Sequence, residues 1–390
     1  MEELGLLAQS AGAQVVGSLI QERERLDSAT LIGKGKVGEL ARLAQQSNAD
    51  VIVFDDELSP VQQRNVEKEV ECKTLDRTQL ILDIFASRAR TREGRLQVEL
   101  AQLNYLLPRL SGKGILLSRL GGGIGTRGPG ETKLETDRRR VRHRIQVVRT
   151  EIDRVRRSRR TRREARRRAE HPVVALVGYT NAGKSTLFSA LTQAATRVSS
   201  QLFMTLDPLV RRARLGPGRE VLLVDTVGFI QKLPHALVAA FRGTLEEVNE
   251  ADLLLHVVDA SAENIEEREA AVGVVLKEIG ADERPVVFVL NKADRLPAGR
   301  SASLRTARPE AVLISAQSGA GLDDLKATVV ARLELAPRNV RLRFRADDAR
   351  GIAGVYGAGR VVGHEVEGDL VTLEAEIPER FLSRYREHLL

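Results

Sequence analysis

The chain has 390 residues, 42% of them apolar and 29% charged, which exceeds one ordinary core and predicts a globular protein of several domains. No run approaches the ~18 consecutive apolar residues of a membrane span. The start at Met1-Glu2-Glu3-Leu4 lacks the pattern of a secretion signal, and a lone cysteine, Cys72, excludes an intramolecular disulfide framework, so a reducing cytoplasm is the expected compartment. The net charge of +8 is uneven: Arg138 to Arg168 holds 16 Arg, no Lys and three acids, a net +13 that leaves the remaining chain at −5.

Residues 1–90 alternate apolar runs with helical periodicity. Gln14–Ile20 and Asp50–Phe54 read as strands. Val37–Gln46 and Ser59–Val70 read as helices, the second capped by Ser59 with Pro60 in its first turn. This alternation predicts a small α/β domain with a mostly parallel sheet. The period then changes. Leu96, Leu100, Leu103, Leu107 and Leu110 form one narrow heptad-like seam, and Val141, Ile145, Val148, Ile152 and Val155 form another. Between them, Ser111–Gly114 and Gly121–Gly130 are too rich in glycine for a helix. Residues 91–170 are therefore expected to form an antiparallel helical hairpin with a glycine-rich tip.

Strand–helix alternation resumes after His171-Pro172. The expected strands are Val173–Val177, Val210–Leu215, Glu220–Val224, Leu253–Val258, Val286–Leu290 and Val312–Ser315, with helices after Gly183, Pro234, Glu263 and Gly321. This is the pattern of a doubly wound α/β domain, placed at 171–336. Residues 337–390 carry three expected strands and two short helices, a small α+β domain. No internal repeat is present.

Gly178-Tyr179-Thr180-Asn181-Ala182-Gly183-Lys184-Ser185-Thr186 follows an apolar strand and opens a helix, the context a P-loop requires. Its backbone N–H groups would close around phosphate oxygens at a helix N-terminus. Lys184 is expected to reach the β- and γ-phosphates, and the Ser185 hydroxyl to ligate Mg²⁺. Asp225-Thr226-Val227-Gly228 ends the strand 220–224; Asp225 would hold Mg²⁺ through water, and the Gly228 N–H would sense the γ-phosphate. In Asn291-Lys292-Ala293-Asp294, the Asp294 carboxylate can accept from guanine N1–H and its exocyclic amine, which adenine does not offer in that arrangement. Asn291 would brace the loops, the Lys292 stem cover the base, and Ser315-Ala316 offer a backbone N–H to guanine O6. The motifs fall in order at strand ends, where open α/β sheets bind ligands, so the expected ligand is GTP or GDP and the fold class is an α/β P-loop GTPase domain with accessory domains.

A switch needs a threonine that engages Mg²⁺ and the γ-phosphate only while that phosphate is present. Thr205 fits, in a run with Phe203 among the expected nucleotide contacts; Thr196 competes. Lys184, Thr205 and Gly228 are the expected catalytic set. Many such enzymes place a water-orienting Gln directly after Asp-x-x-Gly, where this chain has Phe229. Slow intrinsic hydrolysis that needs outside help is expected. Asn181 either ligates K⁺ beside the phosphates or stabilises the loop.

The run Gly121-Gly122-Gly123-Ile124-Gly125-Thr126-Arg127-Gly128-Pro129-Gly130-Glu131-Thr132-Lys133-Leu134-Glu135 resembles the signature of the HflX GTPases, and Leu31-Ile32-Gly33-Lys34-Gly35-Lys36 resembles that family's N-terminal motif. Phe203–Pro208 and Asp225–Ile230 are similar to HflX and its Obg-related kin, although Met204 stands where many members have Ala. The resemblance spans nearly the whole chain. It implies a ribosome-associated GTPase that binds the large (50S) subunit and splits stalled or idle ribosomes under stress, with Thr205 as the switch threonine and Phe229 as a family trait. Some members also use ATP through the N-terminal domain; nothing in residues 1–90 matches a P-loop.

Sixteen Arg against three acids leave few i,i+4 pairs along 138–168, so a phosphate backbone explains that charge better than a solvated face. Arg favours bidentate phosphate contacts and stacking on bases, and the tip charges Arg119, Arg127 and Lys133 fit close approach to rRNA. Aromatics are only 3%, which argues against a single-strand stacking platform. A monomer is expected. The alternatives are an rRNA-remodelling or ribosome-assembly factor, and a GTP-switched regulator of a protein partner.

Overall fold

The structure, a computed structural model, describes residues 2–22, 24–110, 129–168, 171–193, 202–217, 219–231, 245 and 247–390. Of the expected glycine-rich tip, residues 111–128 lie outside the described residues, as do Thr196 and the helix after Pro234; Pro129 and Gly130, expected to be non-helical, instead open a helix, whose first turn accepts both residues. The chain divides into two compact units: one contains the described residues of 1–160 with 202–207, the other those of 161–193, 208–231 and 245–390.

The first unit begins with helix α1 (Glu2–Ser10), then α2 (Lys34–Gln46), strand β1 (Val51–Phe54), α3 (Pro60–Val70), β2 (Lys73–Asp76) and α4 (Arg77–Arg88). A capping box closes the start of α3: the Gln62 N–H donates to the Ser59 hydroxyl at 3.2 Å and the Ser59 N–H to the Gln62 side chain at 2.9 Å. β1 and β2 pair in parallel. Val37, Ile52, Phe54, Val66 and Val70 belong to the core between them and the helices. The Asp76 carboxylate is fully buried where α4 begins. It accepts from the Gln79 N–H at 2.8 Å, the Leu58 N–H at 3.1 Å and the Arg109 guanidinium at 3.0 Å.

The expected strand at 14–20 does not form. This stretch joins no ladder, and Val15, Val16 and Ile20 are exposed. Gly17 instead packs against the Leu43 side chain of α2. Apolar alternation marks a strand only where a partner edge accepts its backbone. Conversely, β2 and α4 escape the periodicity reading, because Thr78–Phe85 is buried nearly all round and shows no single apolar stripe.

Helix α5 (Arg92–Arg109) and the long helix α6 (Pro129–Arg168) carry the two seams. Leu96 packs with Val148 and Ile152, flanked by Leu100 and Leu103. Glu99 pairs with Arg144 and Arg92 with Glu151, so the two helices run antiparallel.

The second unit holds a six-stranded sheet: β3 (Val173–Val177), β4 (Leu209–Gly216), β5 (Arg219–Asp225), β6 (Leu253–Asp259), β7 (Val286–Asn291) and β8 (Val312–Leu313). Their order is β4-β5-β3-β6-β7-β8, and every pairing is parallel except β4 with β5. The central strands are nearly continuous apolar runs because helices cover both faces. The helices are α7 (Lys184–Thr192), α8 (Ile265–Ile279), α9 (Arg300–Ala307) and α10 (Leu322–Arg332). β8 is shorter than expected: the Ser315 N–H turns away to the Ala320 carbonyl at 2.9 Å. The C-terminal sheet is antiparallel, with strands β9 (Pro337–Arg345), β10 (Arg360–Glu367) and β11 (Leu370–Pro378) in the order β10-β11-β9. It packs with α11 (Ala349–Ala358) and α12 (Glu379–Leu382) around Phe344, Leu373 and Tyr385. The fold class is α/β, as the motif order requires.

Candidate nucleotide-binding site

The site is built where β3, β5, β7 and β8 end. β3 runs into Gly178, whose backbone takes φ +147° and whose missing Cβ would lie 2.2 Å from the Val257 carbonyl oxygen. Gly183 takes φ +93°, and a Cβ there would lie 2.2 Å from Asn291 Nδ2. Both positions therefore demand glycine for conformation and for space. Asn181 adopts a left-handed φ of +60° between them, which asparagine tolerates better than most residues. The loop is stitched to the strand-end turn beyond β5. The Thr180 N–H donates to the Phe229 carbonyl at 2.7 Å, and the Phe229 N–H to the Gly178 carbonyl at 3.1 Å. The Gln231 N–H donates to the Tyr179 hydroxyl at 2.9 Å.

Lys184 opens α7 and is buried. Its ammonium donates to the Gly178 and Tyr179 carbonyls, both at 2.9 Å. Burial holds this ammonium well below the usual lysine range, at about 8, with the Asp225 carboxylate pulling the other way. The Ser185 hydroxyl donates to the Asp225 carboxylate at 2.8 Å, so the two expected oxygen donors already meet. Thr226 donates to the Leu176 carbonyl at 2.6 Å and locks the turn to β3. Gly228 closes on the P-loop; a Cβ there would come within 2.8 Å of Thr180 Cα and 3.2 Å of Lys184 Nζ. The Phe229 side chain is fully buried, so it does not face solvent.

On the far side, Asn291 is buried and bridges two loops. Its Nδ2 donates to the Ala182 carbonyl at 2.9 Å, and its Oδ1 accepts from the Ala316 N–H at 2.9 Å. The Ser315 hydroxyl donates to Asp294, and Lys292 pairs with Asp259 at 2.7 Å. Burial pushes the Asp259 carboxyl up, but hydrogen bonds from Lys292 and Ser261 outweigh it and hold the group below the usual carboxylate range. The structure thus gathers Gly178–Thr186, Asp225, Gly228, Asn291–Asp294 and Ser315–Ala316 in one unit. The Asp259 partner of Lys292 and the buried His256 on β6 carry no motif and are visible only here.

Phe203 and Thr205 belong to the other unit. The Phe203 ring is 2% exposed and sits edge-on against Phe85, at 4.7 Å between centroids. Its ring is thus held within the N-terminal unit, where an apolar side chain gains by burial.

Three family models match the chain: a GTP-binding GTPase N-terminal region over 1–86, a GTP-binding GTPase middle region over 88–166, and a 50S ribosome-binding GTPase over 173–292. The chain is 46% identical to a GTPase HflX of Caldanaerobacter subterraneus subsp. tengcongensis over 100% of its own length and 90% of that protein's. It is 47% identical to the GTPase HflX of Escherichia coli K12 over 88% of its length and 81% of that protein's. Among solved structures, a crystal structure titled as a complex of SsGBP and GDP overlaps at a TM-score of 0.49 and 24% identity, covering 85% of this chain and 94% of that one. With such identity sustained from end to end, and with the P-loop, Asp-x-x-Gly and Asn-Lys-x-Asp elements meeting in one site, the chain belongs to the HflX family of GTPases.

Proposed function

We propose that this protein is a nucleotide-controlled factor that binds the large ribosomal subunit and splits stalled or idle ribosomes in the cytoplasm, using GTP as substrate. The observation that carries the ribosomal part is α6, one continuous helix bearing a net +13 over 138–168. Arg139, Arg142, Arg149 and Arg154 on it are exposed. Such a charge is compensated by phosphate oxygens, whose released counterions drive binding. Among the described residues no helix is long and apolar enough to cross a membrane.

In this reading the backbone of Gly178–Thr186 cradles the phosphates, and Lys184 exchanges its two carbonyl partners for β- and γ-phosphate oxygens. Asp294, Asn291 and the Ala316 N–H form the guanine-selective end. Ser185 and Asp225 would offer oxygen donors that suit a hard cation such as Mg²⁺, with Thr205 as the proposed switch donor; when bound, the cation would neutralise charge on the β- and γ-phosphate oxygens. Gly228, pinned between Thr180 and Lys184, places its N–H to report the γ-phosphate. Phe229 orients no water, so hydrolysis is slow until the ribosome, or K⁺ held at Asn181, supplies what the chain lacks. An intrinsic rate unchanged when Na⁺ replaces K⁺ would remove Asn181 from that role.

The test is sucrose-gradient sedimentation of ribosomes with the protein and GTP, a non-hydrolysable GTP analogue, or GDP. Loss of 70S particles and gain of free subunits with GTP or the analogue, but not with GDP, is expected. Association only with precursor particles points instead to an assembly factor. Absence of any ribosome association leaves a regulator of a protein partner.

A further inference from the structure

Segment 202–207, which contains the proposed switch threonine, is docked on the N-terminal unit by anchors on both sides of Thr205. Upstream, the Leu202 N–H donates to the Ser10 hydroxyl at 3.1 Å, and the Phe203 ring is buried against Phe85. Downstream, the Asp207 carboxylate caps the approach to α5. It accepts from the Arg90 N–H at 3.2 Å, the Thr91 N–H at 2.9 Å and the Thr91 hydroxyl. Leu206 is buried between these anchors. A carboxylate at a helix start also gains from the helix dipole. The receptor leaves space for it: a Cβ at Gly94 would lie 2.5 Å from Asp207 Oδ1, so a larger residue there would force the carboxylate to shift. Thr91 serves twice, since its hydroxyl also accepts from the Gly94 N–H at 3.0 Å as the cap of α5.

The docking is held under tension at Phe203. This residue has φ +56°, a left-handed conformation that is costly for an aromatic side chain. Strain of this kind persists only where the surroundings enforce it, and it gathers at switch regions with two stable arrangements.

We propose that Asp207, held by Arg90, Thr91 and the Gly94 gap, is a latch through which the N-terminal domain keeps the switch segment in a resting state that competes with GTP. The inference rests on the reading of Thr205 as the switch threonine. Releasing the latch frees Thr205 to engage the γ-phosphate. GDP, which lacks that phosphate, is indifferent to it. By reciprocity, GTP must loosen the latch by the factor by which the latch weakens GTP. Asp207 and Thr91 are accordingly positioning residues, acting through Thr205.

The experiment uses the full chain and fluorescent analogues of GDP and of non-hydrolysable GTP. Asp207→Asn removes the charge that makes these bonds strong, and is expected to raise affinity for the GTP analogue roughly tenfold with no change for GDP. Gly94→Ala is the second variant: alanine favours the helix it sits in, but its Cβ crowds the carboxylate out of its present position, so it should weaken the same contact and act in the direction of Asp207→Asn without loss of helix. Hydrogen exchange of the peptide spanning 89–95 supplies an independent reading. In the natural protein the GTP analogue should speed exchange there and GDP should not; in both variants exchange should be fast in every nucleotide state. Unchanged protection at 89–95 with the GTP analogue, or equal shifts in GDP and GTP-analogue affinity, overturns the latch. Thr205→Ala separates the two readings. If it leaves GTP-analogue affinity intact, the assignment of Thr205 fails; if it weakens the analogue but not GDP while 89–95 stays insensitive to nucleotide, the latch alone fails.

Discussion

Asn291 joins the two halves of the nucleotide site through two hydrogen bonds of 2.9 Å, one to the Ala182 carbonyl and one from the Ala316 N–H. The residue is 2% exposed, so Asn291→Ala leaves both backbone groups unpartnered and away from water. Each such group costs about 1–3 kcal/mol, which gives about 2–6 kcal/mol for the pair. For a transition of a domain of this size, that lowers Tm by about 4–24 °C, read by calorimetry of the nucleotide-free protein. Gly183 makes the reasoning sharper. Gly183→Ala drives a Cβ to 2.2 Å from Asn291 Nδ2, so part of its cost is a clash with this one amide. With Asn291 already removed, Gly183→Ala should cost less, leaving only the strain of φ +93°. A Tm within about 2 °C of the natural protein, or strict additivity of the two substitutions, would refute the bridging role.

Three further outcomes are expected. Lys184 has an unfolded pKa near 10.5 and a folded value of about 8, and a phosphate beside it favours its charged form; GDP binding at pH 8.5 should therefore take up about half a proton or more. Calorimetry in buffers of different ionisation enthalpy reads this uptake, and zero uptake, or release, contradicts it. His256 is held neutral, first by burial and then by Lys184 and Arg308, with its pKa lowered to about 4. Between about 6.5 and 4 the unfolded chain binds more protons than the folded one, so stability falls as pH drops through that window. By pH 5 this amounts to about 2 kcal/mol; in His256→Leu the fall in Tm from pH 7 to pH 5 should be smaller, and an equal fall would show that His256 is not its source. Charge reversal of Arg139, Arg149 and Arg154 should weaken ribosome binding and reduce the slope of log affinity against log salt by about 0.7–0.9 for each phosphate that is no longer neutralised. An unaltered slope would move the RNA-binding surface off this helix.

The nucleotide site was legible because its chemistry is local. A P-loop needs glycines at fixed offsets so that the backbone can take φ +147° and +93° and close on phosphate, and short motifs at strand ends converge in any open parallel sheet. The seams 96–110 and 141–155 were legible for a similar reason, since helical periodicity is written along the chain. Spacing alone does not convey which strands pair. Gln14–Ile20 has the apolar character of a strand, yet it finds no edge and lies against Leu43. Lys73–Asp76 shows little of it, yet pairs with β1. His256 and Asp259 acquire their roles from Lys184 and Lys292, which approach only when the sheet is assembled. The largest difference concerns Phe203–Asp207. Their motif raises the expectation of a switch, but the partners Phe85, Arg90, Thr91 and Gly94 lie more than a hundred residues earlier. Local sequence therefore determines which residues are suited to phosphate and guanine; tertiary packing decides what holds the segment 202–207, because burial of one ring and capture of one carboxylate depend on surfaces that exist only in the folded chain.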